Sequence, residues 1–218
     1  MKRIAVILSG CGRDDGSEIH ESVLTLLAID QAGAQAVFLA PNILQKRVVN
    51  SLTDEVLLDE KRNVLIESAR IARGKISPLE EANPKDFDAA ILPGGFGAAL
   101  NLSDFAISGA QCSVLPSLKN FIQDLAKDNK PVGFICIAPA VISKIYGAGV
   151  LHTIGNDIAT AKLIEEMGGI HQNCSVEECV VDKKNKVVST PAYMLADSIA
   201  QAATGINALV KEVIKLIE

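Results

Sequence analysis

Cys136 is the residue whose type and position most directly suggest chemistry. It closes a fully apolar run, VGFIC at residues 132–136, and Pro139 follows three residues later. Proline is favoured in the first turn of a helix, and the free amides and partial positive charge at a helix start lower the pKa of a nearby thiol. A cysteine at the end of a buried strand can also be a plain core residue, because free cysteine behaves as a small hydrophobe. The run therefore indicates either a nucleophilic thiolate or a packing residue.

A glycine-rich turn, PGGFG at residues 93–97, follows another apolar run. Without β-carbons in the way, the amides of Gly94 and Gly95 can point at an oxyanion that develops on a substrate. A lone Gly-Gly pair is more often only a tight turn. By itself this segment is compatible with an anion hole and with a structural bend.

Glu18 lies in the segment GSEIHE, where Ser17 is a candidate N-cap of a helix. An acid in the first turn is commonly a surface residue that the helix dipole favours. The alternative is a carboxyl group that faces the cysteine and transfers protons. His20 is about 200° further round the helix from Glu18, so we expect only one of them to face a common site. Cys11, in the loop SGCG, is the competing nucleophile.

Short apolar runs alternate along the chain with longer helical patterns. Strands are predicted at residues 4–9, 36–40, 76–79, 89–92, 132–136 and 150–154, and a hairpin near residues 180–189. Helices are predicted near residues 19–32, 64–73, 118–125 and 158–167 and from about residue 195 onward. This alternation is typical of a doubly wound α/β fold, with a mostly parallel sheet covered by helices on both faces. We expect one domain over residues 1–218.

The first predicted helix carries a run of apolar residues at helical spacing, which predicts the face that it buries. These residues are Ile19, Val23, Leu26 and Leu27. In a doubly wound sheet every strand-to-helix loop lies at the same carboxyl edge. The loops at residues 9–18, 93–99 and 136–139 are therefore expected to meet, and to bring Glu18, Gly95 and Cys136 together.

Composition and charge argue against several classes of protein. The net charge is −5 and the basic residues are scattered, so nucleic acid is not an expected partner. No apolar run approaches the ~20 residues of a membrane span. Five widely spaced cysteines indicate neither a disulfide framework nor a zinc site, so we expect no metal and a reducing, cytoplasmic setting.

A dinucleotide site is also a poor fit to the first loop. Gly10, Gly12 and Gly16 have the spacing G-x-G-x-x-x-G, and Asp14 and Asp15 would place negative charge near a pyrophosphate. The acid expected after the second strand is replaced by the segment APN at residues 40–42. We therefore expect no cofactor of this class.

Seven segments, in order, resemble the PfpI-type superfamily, which includes the parkinsonism-associated deglycase and has the class I glutamine amidotransferase-like fold. They are ILSGCG at 7–12, DGSEIHE at 15–21, RNVLIE at 62–67, LPGGFGAA at 92–99, GFICIAPA at 133–140, TIGND at 153–157 and TPAYMLA at 190–196. Together they cover essentially the whole chain. The chain is most similar to the ElbB branch, the enhancing-lycopene-biosynthesis or glyoxalase-type proteins.

The resemblance implies a flavodoxin-like fold and roles for individual residues. It implies a nucleophilic Cys136 on a strained strand–helix elbow, and a protonated Glu18 hydrogen-bonded to that cysteine. It implies oxyanion amides at Gly95 and Ile137, beside the Gly94 amide suggested above. The implied activity is a cofactor-independent glyoxalase, a lyase that converts a small aldehyde such as glyoxal to a hydroxy acid. We expect a homodimer.

Departures from the pattern leave other functions open. PfpI-type proteases have histidine directly after the cysteine, where this chain has Ile137, and the late segment TPAYM has no histidine for a glutaminase triad. A protease or a glutamine amidotransferase is therefore less favoured than a cysteine–glutamate pair. A redox sensor or stress-response protein linked to isoprenoid biosynthesis would need the same acidic thiol without turnover.

Overall fold

The computed structural model describes residues 1–217, and its strands and helices follow the alternation that the sequence predicts. The strands are β1 (Arg3–Ile7), β2 (Gln35–Ala40), β3 (Val49–Asn50), β4 (Glu55–Val56), β5 (Ile76–Pro78), β6 (Ala89–Leu92), β7 (Val132–Ile135), β8 (Leu151–His152), β9 (Ile170–His171), β10 (Val180–Asp182) and β11 (Val187–Thr190). The helices are α1 (Ile19–Gln31), α2 (Val64–Ile71), α3 (Phe96–Leu100), α4 (Phe105–Ser108), α5 (Pro116–Lys127), α6 (Ile142–Tyr146), α7 (Ile158–Glu166) and α8 (Ile199–Ile217). No helix within these residues is long and apolar enough to cross a membrane.

Seven of the strands form one sheet in the order β10-β11-β7-β6-β1-β2-β5. All neighbouring pairs are parallel except β10 and β11, which form the predicted antiparallel hairpin. The doubly wound, mostly parallel α/β fold is therefore confirmed. The predicted strand at residues 150–154 is different, because β8 lies outside this sheet and pairs with β9 in a small parallel sheet of its own.

Buried side chains cover both faces of the sheet because alternate residues of each strand point to opposite sides. In β1, Ala5 and Ile7 join the layer built with α5, whereas Ile4 and Val6 join the layer built with α1 and α8. All four side chains are fully buried. The strands therefore read as continuous apolar runs rather than as alternating ones.

The buried face of α1 is not the one that its apolar residues predict. Ile19, Val23 and Leu27 are 44%, 50% and 50% exposed. The residues that face the interior are small or polar except for Ile29, and they are Glu21, Ser22, Thr25, Ala28 and Ile29. Small side chains let α1 pack closely on α8 and the sheet, and its hydroxyl groups are satisfied within the helix; the Thr25 hydroxyl donates to the Glu21 carbonyl (2.7 Å). This rotation of α1 decides which acid reaches the carboxyl edge.

Candidate active site

Cys136 lies at a sharp turn directly after β7. Its φ is 62°, in the left-handed region that is uncommon for residues other than glycine, and its side chain is buried. The backbone amide of Cys136 donates to the Thr190 carbonyl of β11 (2.9 Å), which holds the turn in register with the sheet. The chain then enters a short 3-10 turn, Ala138–Val141, before α6. The predicted elbow is thus present, with the backbone strain that clusters at functional sites.

Glu21 is the carboxyl group that lies against the Cys136 sulfur. Its side chain is fully buried and close enough to the thiol for each group to shift the pKa of the other. Its Oε2 accepts the Gly94 amide at 2.9 Å, and its Oε1 accepts the Tyr193 amide at 3.1 Å. Three separate segments of the chain therefore fix this carboxyl group beside the sulfur.

The sequence predicted Glu18 beside the Cys136 sulfur, but Glu18 lies elsewhere. It is the N-cap of α1, where its Oε2 accepts the amide of Glu21 at 2.6 Å. The carboxylate therefore turns toward its own helix, and the residue one turn later reaches the cysteine. Ser17, the expected cap, is instead buried, and its Oγ accepts the Ser9 amide at the end of β1 (2.8 Å). The assignment of Glu18 as the partner of Cys136 is corrected to Glu21.

The pair of Glu21 and Cys136 holds a proton that either group can carry. Burial raises the pKa of Glu21 to about 7, although the Tyr193 and Gly94 amides oppose this rise. Burial also raises the pKa of the Cys136 thiol well above its usual range, and the negative charge of Glu21 adds to the effect. The expectation that a helix start lowers the pKa of this thiol is therefore wrong while Glu21 is ionised, because burial and the neighbouring carboxylate outweigh the amides. When Glu21 carries the proton, it can donate to a thiolate instead.

Backbone amides from two loops act on the sulfur of Cys136. The amides of Gly95 and Ile137 both lower the pKa of the thiol. These are two of the three predicted oxyanion donors. The third, Gly94, is committed to Glu21, so its role is to hold the carboxyl group. A β-carbon at Gly94 would collide with Cys136 Cβ and lie 2.6 Å from Glu21 Oε2, which explains the need for glycine.

The loops that carry these groups are bonded to one another through their backbones. The amide of Glu18 donates to the Gly94 carbonyl (2.9 Å), and the amide of Gly97 donates to the Gly16 carbonyl (2.9 Å). Gly95 has a φ of 94°, and a β-carbon there would collide with Gly16 and Glu18. The expected meeting of the three loops at one edge of the sheet is therefore seen in the structure.

A cavity of about 790 Å³ opens above Cys136. His20 and Tyr193 form one side of it, and His20 Nδ1 lies 2.9 Å from the Tyr193 hydroxyl. Tyr193 follows Ala192, whose φ of 42° is a second strained position. Glu18 also lines this cavity, so the expectation that Glu18 and His20 face different sites is wrong. The reason is that Glu18, as the N-cap, has extended rather than helical dihedrals.

The other candidate nucleophile, Cys11, finds little support in this geometry. Cys11 is half-buried in the first loop and is not among the residues that line the cavity. Burial and the nearby Glu67 raise the pKa of its thiol. Within residues 1–217, no group of three or more histidine, cysteine, aspartate or glutamate side chains is placed to hold a metal ion.

Comparison with known proteins shows the family to which the chain belongs. The sequence model of the DJ-1/PfpI family matches residues 3–196. The chain is 41% identical over 223 residues to the rat ES1 protein homolog, mitochondrial, covering 98% of this chain and 84% of that protein. It is 41% identical over the same length to the human glutamine amidotransferase-like class 1 domain-containing protein 3, mitochondrial, covering 98% and 83%.

A solved structure shows the same architecture over the full length of both chains. The isoprenoid biosynthesis protein with an amidotransferase-like domain from Ehrlichia chaffeensis has a TM-score of 0.93 and 38% identity, with 100% of each chain covered. The class I glutamine amidotransferase-like fold is thereby confirmed. The two mammalian relatives are mitochondrial proteins by name, so the expectation of a cytoplasmic location is wrong.

Proposed function

Since the chain belongs to the DJ-1/PfpI family, we propose that it is a cofactor-independent glyoxalase that converts 1,2-dicarbonyl aldehydes to 2-hydroxy acids. The observation that carries the proposal is the buried, mutually interacting pair of Cys136 and Glu21 at the strained end of β7. A nucleophile and an acid–base group in contact are what this isomerisation requires, and no outside oxidant or reductant is needed.

The first step is addition of the Cys136 sulfur to the aldehyde carbon. The proton of the pair resides on Glu21 while the thiolate attacks, and a carbon–sulfur bond forms as the carbonyl bond opens to an oxyanion. The oxyanion develops next to the sulfur, and we assign its stabilisation to the amides of Gly95 and Ile137, which lower the pKa of the thiol. Glu21 then gives its proton to the oxyanion, which completes a hemithioacetal.

The second step moves a proton from one carbon to the next. Glu21, now a carboxylate, removes the hydrogen from the former aldehyde carbon, and an enediol-like species forms. The proton returns to the adjacent carbon, and the hydroxyl proton of the first carbon passes to the oxygen of the second. The second carbon thereby becomes an alcohol and the first a thioester. Hydrolysis releases the 2-hydroxy acid and restores the thiol. A Glu21 pKa of about 7 suits a group that must both give and accept a proton near neutral pH.

The redox-sensor alternative draws less support from the site. Oxidation of cysteine follows thiolate character and exposure, and Cys136 is only 8% exposed with a thiol pKa raised by burial. An amidotransferase draws less support as well, because the sulfur is contacted by a carboxyl group where a glutaminase uses histidine.

The proposal is tested by incubating the purified protein with glyoxal in buffer that contains a chelator and no thiol, and by following glycolate by NMR. We expect glycolate from the wild-type protein and none from Cys136→Ser, because serine at this position has no base strong enough to ionise it. Cys11→Ser is the matched control, and it should retain turnover. Glycolate production that survives Cys136→Ser would contradict the proposal.

A further inference from the structure

The cavity above Cys136 is much larger than glyoxal. A water molecule occupies about 30 Å³ of liquid, so the four heavy atoms of glyoxal fill on the order of 100 Å³. The cavity measures about 790 Å³, within the range of roughly 300–1,000 Å³ that holds ligands of drug size. The reacting carbons therefore account for a small part of the space.

The walls of this space are largely apolar. They include Phe96, Phe105, Ala106, Ile137 and Met194, drawn from four separate segments of the chain. Phe105 is buried, and the ring of Phe96 is held under the Arg47 guanidinium, which lies 5.3 Å from the ring centroid. These walls offer contacts that a two-carbon dicarbonyl cannot use.

We propose that the substrate is a 2-oxoaldehyde whose ketone carbon carries an apolar alkyl or aryl group, and that this group fills the cavity while the aldehyde reaches Cys136. The inference rests on the proposed function for its chemistry. The reaction is the same internal rearrangement followed by hydrolysis, in which R–CO–CHO and water give R–CHOH–COOH. The apolar group supplies binding free energy from a part of the substrate that does not react.

The test is a series of straight-chain 2-oxoaldehydes with two to eight carbons, assayed for kcat/KM. Each methylene that the cavity buries should raise kcat/KM by about fourfold until the cavity is full. Ala106→Phe fills part of the cavity from an exposed position on α4 and should cut kcat/KM of the eight-carbon substrate more than tenfold. Ile107→Phe is the matched control, since Ile107 is 74% exposed and does not line the cavity.

Unreactive methyl ketones of the same chain lengths separate this inference from the proposed function. They should protect Cys136 from iodoacetamide with increasing potency as the chain lengthens, whether or not the protein turns over any dicarbonyl. If no dicarbonyl is turned over but longer ketones protect Cys136 better, the glyoxalase activity is contradicted and the apolar binding site is supported. A flat series in both assays, or a preference for glyoxal, would overturn the apolar site.

His20 and Tyr193 support a second inference, which does not depend on the apolar residues of the cavity. The hydrogen bond between them (2.9 Å) holds the imidazole in the wall of the cavity, and His20 is exposed to water. With the ring proton on Nδ1, the imidazole donates to the Tyr193 oxygen, and Nε2 is free to accept a proton. Glu21 is fully buried beneath the sulfur and is poorly placed to activate water from solvent.

We infer that His20 is the base for hydrolysis of the thioester, which again rests on the proposed function. His20 Nε2 takes a proton from water while the water oxygen bonds to the thioester carbon. The carbon–sulfur bond then breaks, Cys136 leaves as a thiolate, and the proton returns to the Cys136–Glu21 pair. His20 thus supplies, from the first helix, the histidine that the late segment TPAYM lacks.

The test is His20→Gln with methylglyoxal, followed by stopped-flow kinetics and intact-protein mass spectrometry. We expect a burst of about one turnover, a steady-state rate lowered by 10²–10⁴-fold, and a lactyl adduct on Cys136. Hydroxylamine, a nucleophile that needs no base, should restore turnover by at least tenfold. His171→Gln is the control, because His171 does not line the cavity.

Tyr193→Phe keeps the ring and the backbone amide that holds Glu21, and it should slow hydrolysis less than His20→Gln does. A His20→Gln variant that turns over as fast as the wild-type protein would contradict the role of His20. A slow His20→Gln variant that accumulates no Cys136 adduct and is not rescued by hydroxylamine would contradict it as well. Failure of the wild-type protein to convert any 2-oxoaldehyde would instead overturn the proposed function.

Discussion

At the scale of single residues, two glutamates one helical turn apart have separate tasks. Glu18 is the N-cap of α1, and its side chain accepts a hydrogen bond from the amide of Glu21. The Glu21 side chain is instead buried against the sulfur. A buried carboxyl group is costly unless it is hydrogen-bonded or neutral. The Gly94 and Tyr193 amides reduce this cost, and the pKa of about 7 lets the group become neutral near physiological pH.

Glu21→Gln should separate the reactivity of the thiol from turnover. The charge of Glu21 raises the pKa of the Cys136 thiol, so its removal should speed alkylation of Cys136 at pH 8. Turnover should nevertheless fall by 10²–10⁴-fold, because glutamine cannot transfer the proton between carbons. Both rates are measured on one preparation. Glu18→Gln is the matched control and should retain turnover within tenfold; the reverse ranking of the two variants would show that Glu18 is the acid–base group.

Glu21 should also make stability fall as the pH rises. Its pKa is about 7 in the folded chain against 4.5 for a free glutamate, so between these values the folded state binds more protons than the unfolded state. The free energy of unfolding should therefore decrease from pH 4.5 through pH 7, by up to about 3 kcal/mol. Urea unfolding at several pH values measures this slope. In Glu21→Gln the decrease should be absent, and a slope equal to that of the wild-type protein would contradict the pKa.

At the scale of elements, close packing of α8 on the sheet depends on a glycine in the middle of β7. A β-carbon at Gly133 would lie 2.8 Å from Leu209 Cδ2 and 3.2 Å from Val213 Cγ2. Leu209 and Val213 are fully buried on the inner face of α8. The missing side chain in the strand and the large side chains on the helix are therefore complementary in shape.

A double-mutant cycle tests this packing. Gly133→Ala alone should destabilise the protein by about 1–3 kcal/mol through overpacking, and Leu209→Ala alone by about 2–5 kcal/mol through a cavity. Together they should cost less than the sum of the two, because the added methyl group enters the space that Leu209 leaves. Chemical denaturation of the four proteins measures the coupling. Strict additivity would mean that residues 133 and 209 do not share this space.

At the scale of the whole molecule, one sheet joins two layers of buried side chains. Leu118 on α5 belongs to one layer and Ile206 on α8 to the other, and both are fully buried. Each strand contributes alternate residues to both layers, so loss of one layer exposes the strands of the other. The expectation of one domain therefore implies one cooperative unit.

Leu118→Ala and Ile206→Ala should shift a single unfolding transition rather than split it. Each should cost about 2–5 kcal/mol, which lowers Tm by roughly 2–4 °C for every kcal/mol in a chain of this size. Scanning calorimetry and circular dichroism of both variants measure the shift, with the exposed Leu52→Ala as a control that should leave Tm unchanged. Two separate transitions in either variant would contradict the single domain.

Local features of the sequence were sufficient for the order of the elements and for the position of Cys136 at the end of a strand. The run VGFIC followed by a proline marks a strand that ends in a turn, and Cys136 is found there with a φ of 62°. Apolar runs, glycines and prolines act within a few residues of themselves, so their effect is readable from the chain alone. The glycine turn at residues 93–97 is likewise a local feature that can be read from the chain alone.

Tertiary structure alone decided which carboxyl group meets the sulfur. The packing of α1 on α8 and the sheet sets how the helix is rotated, and it turns Glu21, rather than Ile19 and Val23, toward the interior. Glu21 is then fixed by the amide of Tyr193, which is 172 residues away along the chain. The position of His20 depends on the same residue, through its bond to the Tyr193 hydroxyl. Contacts of this range arise only when the sheet brings its loops to one edge, so no local pattern encodes them.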